Sequence, residues 1–424
     1  MIRRIINARL RGRQGLARID LNEKGHIAAV ADMTPGGHAA GATIDARGGL
    51  VLPSFIDLHL HLDLAYSLDL VPENQSGTLV EAIRLYAEAK KGFTPASVCE
   101  RAVRAIEAEI AFGTGAIRNH VDVGQTAGLR LCEDILAARE QVKDRIDIQV
   151  VTFPQDGVLR DPGAIDRMRE AMRMGCNLVG GIAHYERTPT DSRRQIELLF
   201  DLAEEFDADI DCHIDETDSP ESRCVEYLAA ETIRRGRQGR VTASHVCALA
   251  SYEPVHAAKV IGLLAEARVH VVTNPGVNLH LQGRFDTYPK RRGLTRVREL
   301  MAAGVNVSAG QDCIKDPFYP FGTGQMLEVA HLLVHADHLS SPALVDKAMD
   351  AITVNPARSM HLDNYGLKPG GRGDLVILPV DQVHEAIRCR PMPVAVLKAG
   401  RQVGGMDSRR PLPYGRGSDD FPAA

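Results

Sequence analysis

The stretch Leu52-Pro-Ser-Phe-Ile-Asp-Leu-His-Leu-His-Leu-Asp63 closes an apolar run on two histidines two residues apart. Successive side chains of a strand point to opposite faces, so His59 and His61 on a strand share one face and converge on one point. Two imidazoles aimed at one point suggest a metal; the plain alternative is a hydrogen-bonded pair of core histidines. His213 and Asp312, each closing a later apolar segment, add a third nitrogen and a carboxylate. That donor set suits Zn2+ or Fe2+ and does not choose between them. Singly, Asp312 reads as well as a helix cap and His213 as a satisfied core residue; four such residues at strand ends are poorly explained that way. A structural zinc site is disfavoured, because those sites are closed and rich in cysteine. Glu216, three residues past His213, could carry a proton from a water whose pKa a metal lowers to about 7. His245 could polarise the bond under attack. Asp215, the competing acid, reads as a supporting hydrogen bond. The chemistry implied is metal-assisted hydrolysis.

Such residues need a scaffold that gathers strand ends. Strand candidates fall at 50–61, 115–121, 147–153, 176–183, 208–213, 240–245, 268–273 and 305–310, with amphipathic helices between them. One helix is expected over 78–91, with Leu79, Ile83, Tyr86 and Ala87 on its apolar face. Eight alternating units predict an α/β fold, a (β/α)8 TIM-type barrel over 52–366, with its active site at the strand C-termini. Short β segments at 2–8, 16–21 and 26–30, with a turn at 34–37, are matched by late ones at 367–378 and 394–397. Residues 1–51 and 367–408 therefore predict a small β-sandwich built from both chain ends. Residues 409–424, rich in Pro, Gly and charge, read as a flexible surface tail.

The 424 residues are 44% hydrophobic, enough for a sizeable core, and carry a formal net charge of −5. No basic excess favours a nucleic-acid or membrane partner. The eight cysteines are scattered without a CxxC pair, as expected of reduced thiols. With no leader-like or spanning apolar run, the expected location is cytoplasmic.

Further motifs make the reading specific. His59-Leu-His-Leu-Asp63, Asn74-Gln-Ser-Gly-Thr-Leu79, His120-Val-Asp-Val123, Phe153-Pro-Gln155, His213-Ile-Asp-Glu216, Val241-Thr-Ala-Ser-His245 and the long run from Val277 to Arg292 resemble amidohydrolase-superfamily deaminases. Within them the chain is similar to bacterial cytosine deaminase along nearly its whole length. Pro369-Gly-Gly-Arg-Gly-Asp-Leu-Val376 is similar to that family's re-entry into its sandwich. The resemblance implies one divalent ion on His59, His61, His213 and Asp312, with Glu216 as proton shuttle and His245 as electrostatic partner. It also implies a substrate pocket in which Gln155 binds an amide edge, with Phe153 and Leu79 beside it. The expected partner is a small N-heterocyclic substrate, and the family commonly forms homo-oligomers.

Two departures bear on substrate. Cytosine deaminases carry His-Asp-Asp where this chain has Gln311-Asp312-Cys313, and Trp where it has Phe318. Their second Asp lies against the pyrimidine, so Cys313 removes a charge and opens apolar room. The expected substrate is cytosine or a 5-substituted cytosine such as 5-methylcytosine, deaminated hydrolytically with release of ammonia. Isocytosine, creatinine or a triazine would need the same catalytic residues. A binuclear cyclic-amide hydrolase would usually need a bridging lysine at the end of strand four, which Val179-Gly-Gly-Ile-Ala-His184 does not offer. A catalytically inactive metal-binding module is the reading from a different class. The H-x-E and P-C-x-x-C signature of deaminases acting on nucleic acids is absent.

Overall fold

The computed structural model describes residues 1–33 and 41–406; the turn expected at 34–37 and the tail expected at 409–424 lie outside the described residues. Five strands open the chain: β1 (Arg4–Leu10), β2 (Ala17–Leu21), β3 (Ile27–Asp32), β4 (Thr43–Asp45) and β5 (Leu50–Pro53). Eight follow with helices between them: β6 (Phe55–Leu60), β7 (Thr114–Asp122), β8 (Asp147–Phe153), β9 (Leu178–Ile182), β10 (Asp209–Ile214), β11 (Val241–His245), β12 (His270–Thr273) and β13 (Val307–Ala309). The chain ends in β14 (Leu375–Leu378), β15 (Ala395–Lys398) and β16 (Arg401–Gly404).

Strands β6 to β13 pair in chain order, every ladder parallel. Every residue of β7, β9 and β11 is buried, as expected of parallel strands covered by helices. The sheet closes into a barrel where the end of β6 meets the segment after β13. There Asp312 N donates to the His59 carbonyl at 2.7 Å and His61 N to the Asp312 carbonyl at 2.9 Å. The helix expected at 78–91 runs Leu79–Ala89, capped by the Thr78 hydroxyl accepting from Glu81 N, and buries Ile83 and Tyr86. Lys90 ends it by turning inward to Asp122, 2.6 Å away.

The single strand expected at 50–61 is two. β5 pairs with β1 and β14, whereas β6 starts afresh in the barrel. The break falls at Ser54, whose N–H leaves the barrel ladder and donates to the Asp374 carbonyl at 3.0 Å. The end strands run in the order β16-β15-β14-β5-β1-β2-β3, with β4 on β1. Their two halves share one apolar cluster, including Ile5, Ile19, Val51, Leu375 and Leu397. Among the described residues no helix is long and apolar enough to cross a membrane.

A charged seam ties this sheet to the barrel. Buried Lys398 Nζ donates to Asp147 on β8 at 2.7 Å, to Asp374 at 3.0 Å and to the Gly115 carbonyl at 2.9 Å. Arg372 pairs with the same two carboxylates. Burial works to raise the Asp147 carboxyl, but Lys398 and Arg372 outweigh it and hold it below its ordinary 3.8. The tie therefore stabilises the fold above about pH 4 and is lost as acid protonates Asp147. Lys398→Met leaves both carboxylates to Arg372 alone and strips the Gly115 carbonyl of its donor, and should lower unfolding free energy by about 2 kcal/mol in a denaturant titration at pH 7. Lys143→Met, at an exposed pair with Glu140, should leave the midpoint unchanged.

Candidate active site

The barrel mouth gathers buried imidazoles from three strand ends. His59 lies on β6 and His61 just beyond it, His213 on β10, and His245 closes β11. Asp312 is brought to them by the closing hydrogen bonds. His59 Nε2 and His61 Nε2 each lie 3.1 Å from His213 Nε2, and 3.6 and 3.5 Å from Asp312 Oδ1. Donors about 2.0–2.1 Å from one Zn2+ in a tetrahedron stand about 3.3 Å apart, so this spacing fits a divalent ion. Burial, helped by mutual repulsion, pushes His59 and His213 well below 6.5, and burial takes His61 to about 3. The rings are neutral and carry lone pairs. Burial also lifts Asp312 well above its ordinary range, with Glu216 adding to the effect, and Asp312 Oδ2 has no hydrogen-bond partner among the described residues. The donor set suits a divalent cation such as Zn2+ or Fe2+.

By distance alone His245 could join, since His59, His213, His245 and Asp312 offer ligand atoms all within 4.8 Å of one another. Its hydrogen bonds argue otherwise. The Asn278 side-chain oxygen accepts from Asn274 N at 3.2 Å, so its amide nitrogen is the atom that donates to His245 Nδ1, at 3.0 Å. With Nδ1 accepting, the His245 proton is placed on Nε2, which lies 3.4 Å from Asn274 Nδ2 and 3.8 Å from Asp312 Oδ2, beyond hydrogen-bond distance of that carboxylate. His61, not His245, completes the candidate ligand set.

Glu216 stands 3.6 Å from His245 Nδ1 and lines the pocket above the cluster. Burial pushes its carboxyl up to about 8, which suits a group that takes and returns protons near neutral pH. Asp215 turns away, its carboxylate accepting from Ser222 Oγ, Cys224 N and Val225 N at 2.6, 3.0 and 2.8 Å to anchor the next helix.

A small pocket opens above the cluster. Leu79, Phe153, Gln155, Cys313 and Phe318 all line it, with Leu64, Ile83, Ile182, Val277 and Leu281. Phe153 stacks on His213 at 4.1 Å between ring centroids and so also packs a ligand candidate. Gln155 is 5% exposed, and its carboxamide makes no hydrogen bond to the protein among the described residues. Gln311 is not in the lining: its side-chain oxygen accepts from Gly324 N at 3.1 Å.

Sequence reasoning gave no role to Asn278, Arg118, His120, Asp211 or Ser244, all buried at or beneath the cluster. The strand period carried a signal for some of them. Asp211 precedes His213 by two, and so shares its inward face.

Residues 42–404 match the Amidohydrolase family. A 5-methylcytosine deaminase from Klebsiella pneumoniae, liganded with 5-fluorocytosine, has the same fold with TM-score 0.91 and 38% identity, over 94% of this chain and 97% of that one. Pterin deaminase from Rhizobium rhizogenes is 32% identical over 88% of this chain and 85% of its own. N-isopropylammelide isopropyl amidohydrolase from Pseudomonas sp. is 30% identical over 84% of this chain and 87% of its own. With relatives of this kind along almost its full length, the chain belongs to the amidohydrolase family, as a hydrolytic aminohydrolase.

Proposed function

We propose that this protein deaminates a free cytosine-type base, with 5-methylcytosine preferred over cytosine, using one divalent ion on His59, His61, His213 and Asp312. The observation that carries this reading is the pocket wall. One unpartnered side-chain amide, Gln155, sits among apolar side chains beside Glu216 and the imidazole cluster. An amide of that kind pairs with the acceptor and donor edge of a cytosine ring. Cys313 and Phe318 supply apolar surface where a 5-methyl group would rest. The likeness to a 5-methylcytosine deaminase supports the same choice.

When bound, the divalent ion supplies Lewis acidity and a nucleophilic water at neutral pH. The chain's own residues do the rest. Gln155 orients the ring by its amide edge, and Phe153 packs against His213. As the water oxygen bonds to the amino-bearing ring carbon, Glu216 takes the water proton and passes it to the ring nitrogen. His245 Nε2–H, on an imidazole held by Asn278, donates to the oxygen on which charge develops, and with Asp312 stabilises the tetrahedral adduct. The remaining hydroxyl proton of the adduct is then carried to the amino nitrogen, again through Glu216, the carbon–nitrogen bond breaks, ammonia leaves and the oxygen stays as the ring carbonyl.

Ammonia release should be compared across cytosine, 5-methylcytosine, isocytosine, creatinine and pterin, and isopropylamine release measured from N-isopropylammelide, with metal content assayed on the same protein. A clear lead for pterin or the triazine would replace the cytosine reading. Glu216→Gln should keep its metal and lose about a thousandfold in kcat on the best substrate. Near-normal turnover would remove Glu216 from the proton transfer. Cys313→Asp should shift the kcat/KM ratio toward cytosine by about tenfold, chiefly by loss on 5-methylcytosine. A gain on cytosine with 5-methylcytosine untouched would show that Cys313 does not contact the 5-position.

A further inference from the structure

Ser244 and Asp211 take no part in the proposed reaction, yet both are fully buried and bonded in a chain that ends on a ligand candidate. Arg118 on β7 donates from Nη1 to Asp211 Oδ2 at 2.8 Å and from Nη2 to the Ser359 carbonyl at 2.7 Å. Asp211 Oδ1 accepts from Ser244 Oγ at 2.8 Å, and Ser244 Oγ lies 3.0 Å from His59 Nδ1. A hydroxyl has one proton to donate. Ser244 gives it to Asp211, so its oxygen accepts from His59 Nδ1–H. That leaves His59 Nε2 as a lone pair directed at the cluster, 3.1 Å from His213 Nε2.

From this we infer that Asp211 and Ser244 are positioning residues. Anchored by Arg118, they fix the tautomer and orientation of His59 and raise its basicity toward a divalent ion. The inference rests on the metal reading proposed above. A competing use of Asp211 is as a ligand itself, since His59, His120 and Asp211 also offer atoms within 4.8 Å of one another. Arg118 opposes it: the guanidinium already neutralises that carboxylate, and a second dication beside it would be repelled. The carboxylate therefore acts through Ser244.

The test strips wild type, Ser244→Ala and Asp211→Asn of metal. Each is then titrated with Zn2+ against a chromophoric chelator, and the visible spectrum of the Co2+ form is recorded. Ser244→Ala should bind Zn2+ about 10- to 100-fold more weakly and shift the Co2+ bands. Asp211→Asn, which keeps an oxygen for Ser244 but loses the charge, should weaken binding by less. A merely structural role would lower the unfolding midpoint of the metal-free variants but leave Zn2+ affinity and the Co2+ spectrum at wild-type values, and that result would overturn the inference. Wild-type protein that binds no ion would overturn the metal reading and this inference with it.

Discussion

The structure turns on one junction, where the end of β6 is stitched to the segment after β13. Two backbone hydrogen bonds between His59, His61 and Asp312 close the barrel, and the same three residues bring two imidazoles and a carboxylate together. Asp57 reinforces the junction from beneath, its Oδ1 accepting from His59 N at 3.1 Å and Gln311 N at 3.0 Å. Gly310 permits the approach, since a Cβ there would come within 2.7 Å of the His59 Cβ. Closing the fold and assembling the candidate ligand set are thus one event. Strain collects at the same place: Asp312 and His245 hold φ of +68° and +72°, conformations that cost non-glycine residues about 1 kcal/mol or more and persist where surrounding bonds fix them.

Burial sets the electrostatics of that junction. Four imidazoles and two carboxyl groups, all nearly inaccessible to water, cannot be charged together, and each is shifted toward its neutral form. Neutral imidazoles with lone pairs turned inward are the form a cation binds. A cation would in turn draw Asp312 to its carboxylate, because the nearest opposite charge would then outweigh desolvation. Binding an ion and ionising the site are coupled, and the ion's affinity becomes part of the stability of the folded chain.

Much of this was legible in the sequence, for a physical reason. The two-residue period of a strand places His59 with His61, and the strand-to-helix alternation brings His213, His245 and Asp312 to the same mouth. What sequence could not resolve were features set by partners far along the chain. The break at Ser54 depends on Asp374, and the inward turn of Lys90 depends on Asp122. β4 and β16 are short and largely exposed, so neither shows an alternating apolar pattern. The roles of Ser244 and Asn278 come from counting protons between distant elements, and a lone serine in a buried strand or asparagine in a short helix announces none of that.

The two departures flanking Asp312 differ in consequence because the backbone there leaves the strand period. In a regular strand residues 311 and 313 would share a face. The left-handed Asp312 breaks that alternation, so Gln311 turns to Gly324 while Asp312 and Cys313 both line the pocket. A candidate ligand and a pocket wall are therefore adjacent residues, with Cys313 Sγ 3.8 Å from Asp312 Oδ1. A carboxylate at 313 would face Asp312, Glu216 and the buried Asp316 at once, and repulsion in a pocket with little water would be strong. A thiol avoids that repulsion and leaves apolar surface in its place. On the proposed reading, substrate preference and the charge state of the site would be set by the same side chain.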